Sequence, residues 1–374
     1  GPRPSLTSMI RVAFDSGPLH GPRTGIGHAV RRITESLEVV APDVELRPYL
    51  VSYRSRPEAG IVRLPYPAAL ALRMWARFDT PRPDRHFGDI DVVHGTNYVA
   101  PPSRHPRVVS VYDCWALDNP SDVHRDVRLM MGALRRSIDT GAHVHASSHA
   151  TARRLREHFP TANISVIHLG SPTASSVAHQ TTGASTHTTA IPEDGHVILA
   201  VGTVERRKNL PFLVTLFDDV VGKVPDARLV IAGAPGADQA ALDRARDASA
   251  HRDRIHVLGR VDAATLDHLM KRARVLVYPS LDEGFGFPIL EAMVASIPVV
   301  ASTAGSIPEI AGDAALLRSV DDRDGWTEAL VRALTDDDER ARLVTAGHAR
   351  SAAFDWSRTA TELAALYAKV ADGE

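Results

Sequence analysis

The chain has 374 residues, a length that predicts two domains. Its hydrophobic content of 44% and charged content of 24% are ordinary for a soluble globular protein, and no apolar run is long enough to span a bilayer. The one cysteine, Cys114, excludes an internal disulfide and, with no visible signal peptide, favours a cytoplasmic location.

The net charge of −2 conceals an uneven distribution of charge. Residues 1–172 contain 22 arginines against 16 acidic residues, a net charge of +6, and the remainder has a net charge of −8. The basic half favours an anionic partner such as a lipid phosphate or the inner face of a membrane, although arginines that pair locally on helix surfaces would give the same count. Nucleic acid is a poor candidate because aromatic residues are only 5% and no binding motif is present.

Short β-branched runs alternate with helical patterns along the whole chain. Strands are predicted at residues 10–14, 91–94, 108–112, 144–147, 164–169, 197–201, 228–232, 255–258, 275–278, 298–301 and 315–317, and helices at 27–39, 125–140 and 148–158. This alternation predicts an α/β protein of two doubly wound parallel sheets, which bind ligands at the carboxyl ends of their strands.

The predicted domain boundary is a change in composition. Residues 173–195 are rich in Ser, Thr, Ala and His without periodicity, which indicates a flexible linker between domains at 9–172 and 196–355. The last apolar face, at 356–371, predicts a helix with Ser357 as its N-cap. Residues 1–8 show no apolar pattern and resemble an expression remnant before Met9.

The most informative segment is Pro279-Ser-Leu-Asp-Glu-Gly-Phe-Gly-Phe-Pro-Ile-Leu-Glu-Ala-Met293. Glu283 and Glu291 lie eight positions apart across a glycine-containing turn, and Pro288 suits the first turn of a helix. Free N–H groups at a helix start bind anions, and carboxylates accept hydrogen bonds from hydroxyls. The segment therefore favours a ligand with both phosphate and hydroxyl groups, although a capped helix with two solvated acids is the alternative.

This segment resembles the retaining glycosyltransferases of family 4, which have the GT-B fold. The resemblance continues through Ile297-Pro-Val-Val-Ala-Ser302 and Gly305-Ser-Ile-Pro-Glu-Ile-Ala-Gly-Asp-Ala-Ala-Leu-Leu317, and upstream through Val201-Gly-Thr-Val-Glu-Arg-Arg-Lys-Asn-Leu210. It implies two Rossmann-like domains facing across a cleft, with the last helix crossing back to the N-terminal domain. The acceptor is then expected on the N-terminal domain and the nucleotide sugar on the C-terminal one.

The resemblance also implies roles for the acids and the glycine loop. Glu291 matches the glutamate that binds the ribose hydroxyls, and Glu283 matches the one that contacts the donor sugar. Backbone N–H groups of Gly284, Phe285 and Gly286 are expected to face phosphate or sugar oxygens.

Two basic residues follow the strand that ends at Gly202. Lys208 matches the family lysine that contacts the diphosphate, and Arg207 is expected beside it, although relatives place their arginine nearer the strand. Fixed cations stabilise the charge that grows on a leaving diphosphate, and the family generally requires no metal ion. Gly25 and Gly27, which open the first helix, match a glycine pair placed against the diphosphate and sugar.

The first half contains three further candidates. His94 ends a predicted strand and is read either as a ligand-binding residue or as a core histidine. Many relatives have a histidine where this chain has Tyr112, which can keep a hydrogen-bond donor near the sugar but cannot reproduce the charge of an imidazole. Asp113 is a candidate acceptor-side base, or the cap of a turn.

The resemblance implies a retaining, metal-independent hexosyltransferase that builds polysaccharide or cell-envelope glycans, with GDP-mannose as the first choice of donor. UDP- and dTDP-sugars remain open as donors, and the acceptor is either a soluble glycan or a lipid-linked one. The alternative class is a protein that binds sugar nucleotides without transferring sugar, and a sugar-nucleotide epimerase is a weaker one.

Overall fold

The computed structural model describes residues 9–20, 25–53, 57–172 and 194–373. Two compact units divide the chain: the N-terminal unit extends to Gly170 and resumes at Asp355, and the C-terminal unit is Ser171–Phe354. The predicted linker at 173–195 lies almost wholly outside the described residues, as do residues 1–8.

The N-terminal unit contains a parallel sheet with the strand order β3-β2-β1-β4-β5-β6-β7, counted over the described residues. The strands are β1 (Ile10–Asp15), β2 (Val44–Val51), β3 (Val62–Leu64), β4 (Val92–Gly95), β5 (Arg107–Val111), β6 (His143–Ala146) and β7 (Ile164–Val166). Strands β4, β5 and β6 are buried at every position, which explains their continuous apolar character. The sequence patterns did not predict β2 and β3.

The helices of this unit are α1 (Gly25–Val40), α2 (Ala68–Trp75), α3 (Asp84–Phe87), α4 (Trp115–Asp118), α5 (Arg125–Asp139) and α6 (His149–His158). Helix α1 follows β1, and its buried residues recur at the spacing of one helix face: Gly27, Ala29, Val30, Ile33 and Leu37.

The C-terminal unit contains a second parallel sheet, with the strand order β10-β9-β8-β11-β12-β13 over the described residues. Its strands are β8 (His196–Val201), β9 (Ala227–Ala232), β10 (Ile255–Gly259), β11 (Ala273–Tyr278), β12 (Val299–Ser302) and β13 (Leu316–Arg318). Its helices are α7 (Leu210–Lys223), α8 (Gln239–Ala248), α9 (Ala263–Arg272), α10 (Phe287–Val294), α11 (Ile307–Ala311), α12 (Arg323–Thr335) and α13 (Asp337–Ala352). Apolar side chains of α7 and α12 pack with those of β8, β9 and β11 into one core.

The last helix, α14 (Trp356–Ala371), belongs to the N-terminal unit. It packs against α1 and against strands β1, β4 and β5, as the fold prediction expected of the last helix. The N-cap prediction was wrong: Asp355 is the cap, because its side chain accepts a hydrogen bond from the N–H of Ser357. The short Asp side chain two residues earlier is the better placed acceptor.

Each sheet has one point at which the strand order reverses. The reversal lies between β1 and β4 in the N-terminal unit and between β8 and β11 in the C-terminal unit. Such switch points open a crevice at the carboxyl ends of the strands, where α/β proteins bind ligands. Over the described residues, no helix combines the length and apolar content that crossing a membrane requires.

Candidate functional site

In the C-terminal unit, three predicted site residues form one ion-paired cluster at the switch point of the sheet. Lys208 Nζ lies 2.5 Å from one carboxylate oxygen of Glu283, and Arg207 Nη1 lies 2.6 Å from the other. Lys208 and Glu283 are only 9% and 6% exposed. The two cations come from the turn after β8, and Glu283 comes from the loop after β11, so the sheet order brings them together.

The carboxyl of Glu283 is held in its charged form. Burial by itself would raise the pKa of Glu283, but the charges of Lys208 and Arg207 outweigh it and lower that pKa to about 2. Burial also lowers the pKa of Lys208, and the charge of Glu283 opposes this effect. An ionised Glu283 therefore holds two cations in fixed positions.

Two neighbours shape the position of Lys208. Its ammonium donates a hydrogen bond to Tyr278 Oη at 2.6 Å and lies 4.6 Å from the centre of that ring. Gly202 provides the space, because a Cβ at that position would lie 3.1 Å from Lys208 Cε. Gly202 also has a φ of +147°, which disfavours other residues. Tyr278 was not predicted as a site residue, although Tyr278 is the last residue of a correctly placed strand.

The loop that carries Glu283 is held from its backbone. The N–H of Ser306 donates to the carbonyl oxygen of Glu283 at 2.9 Å. A Cβ at Gly305 would lie 2.4 Å from the same oxygen, and its φ of +57° is left-handed. The close approach of these two loops explains the glycine at position 305 and leaves the side chain of Glu283 free to turn towards the cations.

Helix α10 begins directly after the glycine turn. Gly286 is the N-cap with a φ of +91°, and Pro288 stands in the first turn. The side chain of Phe285 is 5% exposed and packs edge-on against the rings of Phe287 and Phe354. Gly284 and Phe285 therefore present main-chain groups at the helix start, while the Phe285 ring anchors the turn in the core.

Glu291 lies in the second turn of α10. Burial raises the pKa of Glu291 to about 7, and the charge of Lys208 opposes the rise. The carboxyl of Glu291 makes no hydrogen bond or ion pair with any described residue. Part of the side chain is exposed. A carboxyl at that depth without a protein partner is suited to accept hydroxyl groups of a ligand.

In the N-terminal unit, Gly25 and Gly27 stand at the start of α1, as the motif predicted. Residues 21–24, which precede them, lie outside the described residues. Gly25 is the first residue of α1, and Gly27 is buried.

The structure places His94 in the core. It is fully buried, and its Nδ1 lies 2.7 Å from Tyr367 Oη while its Nε2 lies 2.8 Å from Ser110 Oγ. The chain of hydrogen bonds continues from Ser110 to His145, and burial lowers the pKa of both histidines, which keeps them neutral. Both ring nitrogens are occupied, so this geometry favours the core-histidine interpretation over a ligand-binding role.

Tyr112 and Asp113 follow β5. The hydroxyl of Tyr112 is buried without a partner among the described residues, and burial raises the pKa of Tyr112 far above its usual value, so it stays neutral. Asp113 Oδ1 accepts the N–H of Trp115 at 3.1 Å at the start of α4. This contact is the turn cap that the sequence analysis left open as the alternative to a base.

A cavity that the sequence analysis missed lies at the switch point of the N-terminal sheet. It encloses about 240 Å³ and is lined by, among others, Asp15, Tyr49, Leu72, Trp75, Asn97 and Met130. Asp15 ends β1 and Asn97 follows β4, so both stand where a parallel sheet places ligands. The sequence shows that each follows a predicted strand, but not that these two strands are neighbours in the sheet.

Comparison with known proteins locates a family likeness in the second half of the chain. Residues 184–350 match the family model described as glycosyl transferases group 1. The chain is 34% identical over 173 residues to O-antigen chain mannosyltransferase B of Escherichia coli, covering 45% of each protein. It is 34% identical over 183 residues to phosphatidyl-myo-inositol mannosyltransferase of Mycolicibacterium smegmatis, covering 48% of this chain and 46% of the relative. The chain thus spans about half the length of the curated relatives it matches.

The solved structure of sucrose-phosphate synthase from Thermosynechococcus elongatus resembles the whole chain. The TM-score is 0.73 at 18% identity, covering 98% of this chain and 100% of that one. A likeness at this identity shows the fold, so the prediction of two Rossmann-like domains of the GT-B type is confirmed. The likeness to glycosyl transferases group 1 is confined to residues 184–350.

Proposed function

We propose that this chain is a retaining, metal-independent glycosyltransferase of family 4 that transfers a hexose from a nucleoside-diphosphate sugar to a glycan or lipid-linked acceptor. The observation that supports this most is the buried cluster of Lys208, Arg207 and Glu283. The carboxyl of Glu291, which has no partner among the described residues, lies in the helix that follows the Glu283 loop. The donor binds to the C-terminal unit and the acceptor to the N-terminal unit.

The cations stabilise the leaving diphosphate. Of the three N–H donors of Lys208, two serve Glu283 and Tyr278, which leaves one for a phosphate oxygen. Arg207 has five donors and shares the same acid. Because Glu283 fixes both groups in advance, negative charge that grows on the diphosphate meets cations that need no reorganisation. These cations supply the charge that a metal ion supplies elsewhere.

The acids recognise the rest of the donor. Each carboxylate oxygen of Glu283 has a further lone pair after binding Lys208 or Arg207. These remaining lone pairs accept a hydrogen bond from a hydroxyl of the donor sugar. Glu291 accepts the ribose hydroxyls, and the N–H groups of the Gly284–Gly286 turn face the sugar or phosphate oxygens. Retention follows from attack on the face of the leaving group, with the leaving phosphate taking the acceptor proton, so the reaction needs no protein nucleophile.

GDP-mannose is the first choice of donor, because both curated relatives described above are named mannosyltransferases. We expect GDP to raise the melting temperature in the absence of Mg²⁺ more than UDP, dTDP or ADP does, since a ligand of the folded state alone adds about 2.7 kcal/mol at a hundred times its Kd. Thermal unfolding with each nucleotide, with and without Mg²⁺, is the measurement. A shift that requires Mg²⁺ contradicts the metal-independent donor site, and a selective shift with UDP or dTDP replaces the donor assignment.

A sugar-nucleotide-binding protein without transfer activity is the second candidate. It is favoured by Tyr112, which stands where relatives have histidine and whose buried hydroxyl stays neutral. Release of nucleotide from the donor in the presence of an acceptor would eliminate this candidate. A shift with one nucleotide, together with no release of that nucleotide from its sugar donor with any acceptor, would instead move it to first place.

Peripheral contact with an anionic membrane is the corresponding proposal for a lipid-linked acceptor. The N-terminal unit exposes Leu70 and Phe78, which are 51% and 56% exposed, beside the exposed side chains of Arg73 and Arg77. We expect sedimentation with anionic vesicles at low salt and release as salt screens the arginines. Neutral vesicles are the control, and a chain that stays in the supernatant with anionic vesicles at low salt contradicts the contact.

A further inference from the structure

The cavity of the N-terminal unit has a polar end at which the described residues place a carboxyl but no cation. Asp15 Oδ1 accepts the N–H of Gly17 at 2.9 Å, and Oδ2 lies 3.3 Å from Thr96 Oγ1. Both partners are neutral donors, and among the described residues Asp15 makes no ion pair. Burial raises the pKa of Asp15 to about 6, which fits a carboxyl that lacks a compensating charge.

A second polar group faces the same space. The side-chain oxygen of Asn97 is buried and has no hydrogen-bond partner among the described residues. The next residue, Tyr98, has a left-handed φ of +59°, which is costly for a bulky side chain. Strained residues of this kind persist where the surrounding structure fixes them and are concentrated at ligand sites. An amide both donates and accepts, so Asn97 is suited to a hydroxyl.

The rest of the wall is apolar. Trp75 is 2% exposed, and its indole N–H donates to the carbonyl oxygen of Pro81 at 3.1 Å, which fixes the plane of the ring. Leu72 and Met130 line the same cavity. A volume of about 240 Å³ lies below the range of roughly 300–1,000 Å³ that drug-sized ligands occupy, so the cavity fits a single ring.

We propose that this cavity binds the acceptor through one uncharged, polyhydroxylated ring, with Asp15 and Asn97 on its hydroxyls and with Leu72 and Met130 against its apolar face, beside Trp75. This rests on the proposed function and adds the class of acceptor. A phosphorylated ring is disfavoured because, among the described residues, the polar end offers an acid and no cation, and no arginine lines the cavity.

Fluorine NMR of protein labelled with fluorotryptophan tests the cavity without requiring turnover. The chain has four tryptophans, and the signal of Trp75 is assigned with Trp75→Phe. Methyl α-D-mannopyranoside, added up to tens of millimolar, is expected to shift the Trp75 signal and leave that of Trp326 unchanged, because Trp326 is buried in the other unit. Mannose 6-phosphate is expected to produce a smaller shift at equal concentration.

Asp15→Asn and Asn97→Ala are each expected to weaken binding of methyl α-D-mannopyranoside about tenfold, while Asp43→Asn, at an exposed acid, leaves it unchanged. Three results would each overturn the proposal. They are a larger shift with mannose 6-phosphate, a Trp75 signal that no uncharged methyl hexoside shifts, and unchanged affinity in both variants. The proposed function can fail separately. If a ring binds beside Trp75 but the chain binds no nucleotide, the cavity assignment still holds and the assignment as a transferase is contradicted. If the chain transfers sugar but the fluorine signal of Trp75 does not shift, only the cavity assignment is contradicted.

Discussion

Lys208→Met is expected to lower kcat by about 10²- to 10³-fold, the usual effect of removing one preorganised group that stabilises charge in a transition state. The buried ammonium of Lys208 is fixed by Glu283 and Tyr278, so methionine fills the space but leaves the growing charge of the diphosphate to Arg207. The measurement is turnover of the donor that the nucleotide panel identifies. Lys223→Met, at an exposed lysine, is the matched control.

Glu283→Gln distinguishes the reacting centre from nucleotide binding. Glutamine keeps the size of the side chain but removes the carboxylate proposed to contact the donor sugar, a group that the free nucleoside diphosphate lacks, so turnover is expected to fall much more than affinity for the nucleoside diphosphate. Glu328→Gln, at an exposed glutamate, is the control. Equal losses of turnover and of nucleotide affinity in Glu283→Gln would contradict this role.

Stability must be measured beside activity in both variants. The folded-state pKa of Glu283, about 2, is below the usual value of 4.5, so its ion pairs stabilise the fold above about pH 4.5 and are lost as the pH falls towards 2. Removing one partner of a buried pair costs about 3–5 kcal/mol when no other partner remains. Arg207 remains in Lys208→Met, so a smaller loss is expected, and assays near neutral pH on folded protein keep the comparison valid.

Glu291→Ala is expected to weaken binding of the nucleoside diphosphate by about 1–3 kcal/mol, because hydrogen bonds from the ribose hydroxyls are lost. Isothermal titration measures the loss, and Glu328→Ala is the control. Turnover at saturating donor should change much less than the affinity does, which is the reverse of the result expected for Glu283→Gln. Equal effects of the Glu283 and Glu291 changes on both quantities would contradict the division of roles.

The pKa of Glu291 adds a dependence on pH. Burial raises this pKa to about 7, so the carboxyl is mostly protonated at pH 6 and mostly ionised at pH 8. Hydroxyl donors favour the ionised form, and only that fraction is competent to bind, so wild-type affinity should rise about tenfold between these pH values. Phosphate groups of the ligand titrate near pH 6 as well, so the comparison is with Glu291→Gln, whose remaining rise should be clearly smaller. Identical pH profiles would contradict a role for the Glu291 carboxylate.

Most of the fold could be predicted from the sequence because its central strands are buried on both faces. Such strands are continuous apolar runs, and all six strands of the C-terminal unit lie within two residues of their predicted bounds. Strand β2 was not predicted because Glu45, Arg47 and Pro48 interrupt its apolar pattern. Pro48 also has no N–H to donate to the sheet. Strand β3 has three residues, too few for a period to show.

The site was predictable where its residues lie close in the sequence and match a family motif. Glu283, Glu291 and the glycine turn belong to one segment, and Lys208 to a second. Contacts between distant segments were not predictable: Tyr278 reaches Lys208 across 70 positions, and Tyr367 reaches His94 across 273. Asp15 and Asn97 carry no motif, and only the reversal of strand order between β1 and β4 gives them meaning.

The chain order of the two units has a consequence for synthesis on the ribosome. The C-terminal unit is one continuous segment, Ser171–Phe354, and can complete its core as soon as that segment has emerged. The N-terminal unit starts first and finishes last, because helix α14 brings Tyr367 to His94. Until then, the surface of α1 and β1 that α14 covers stays exposed. The segment translated second is therefore the first to fold completely, and the nascent N-terminal unit is the part that a chaperone would protect.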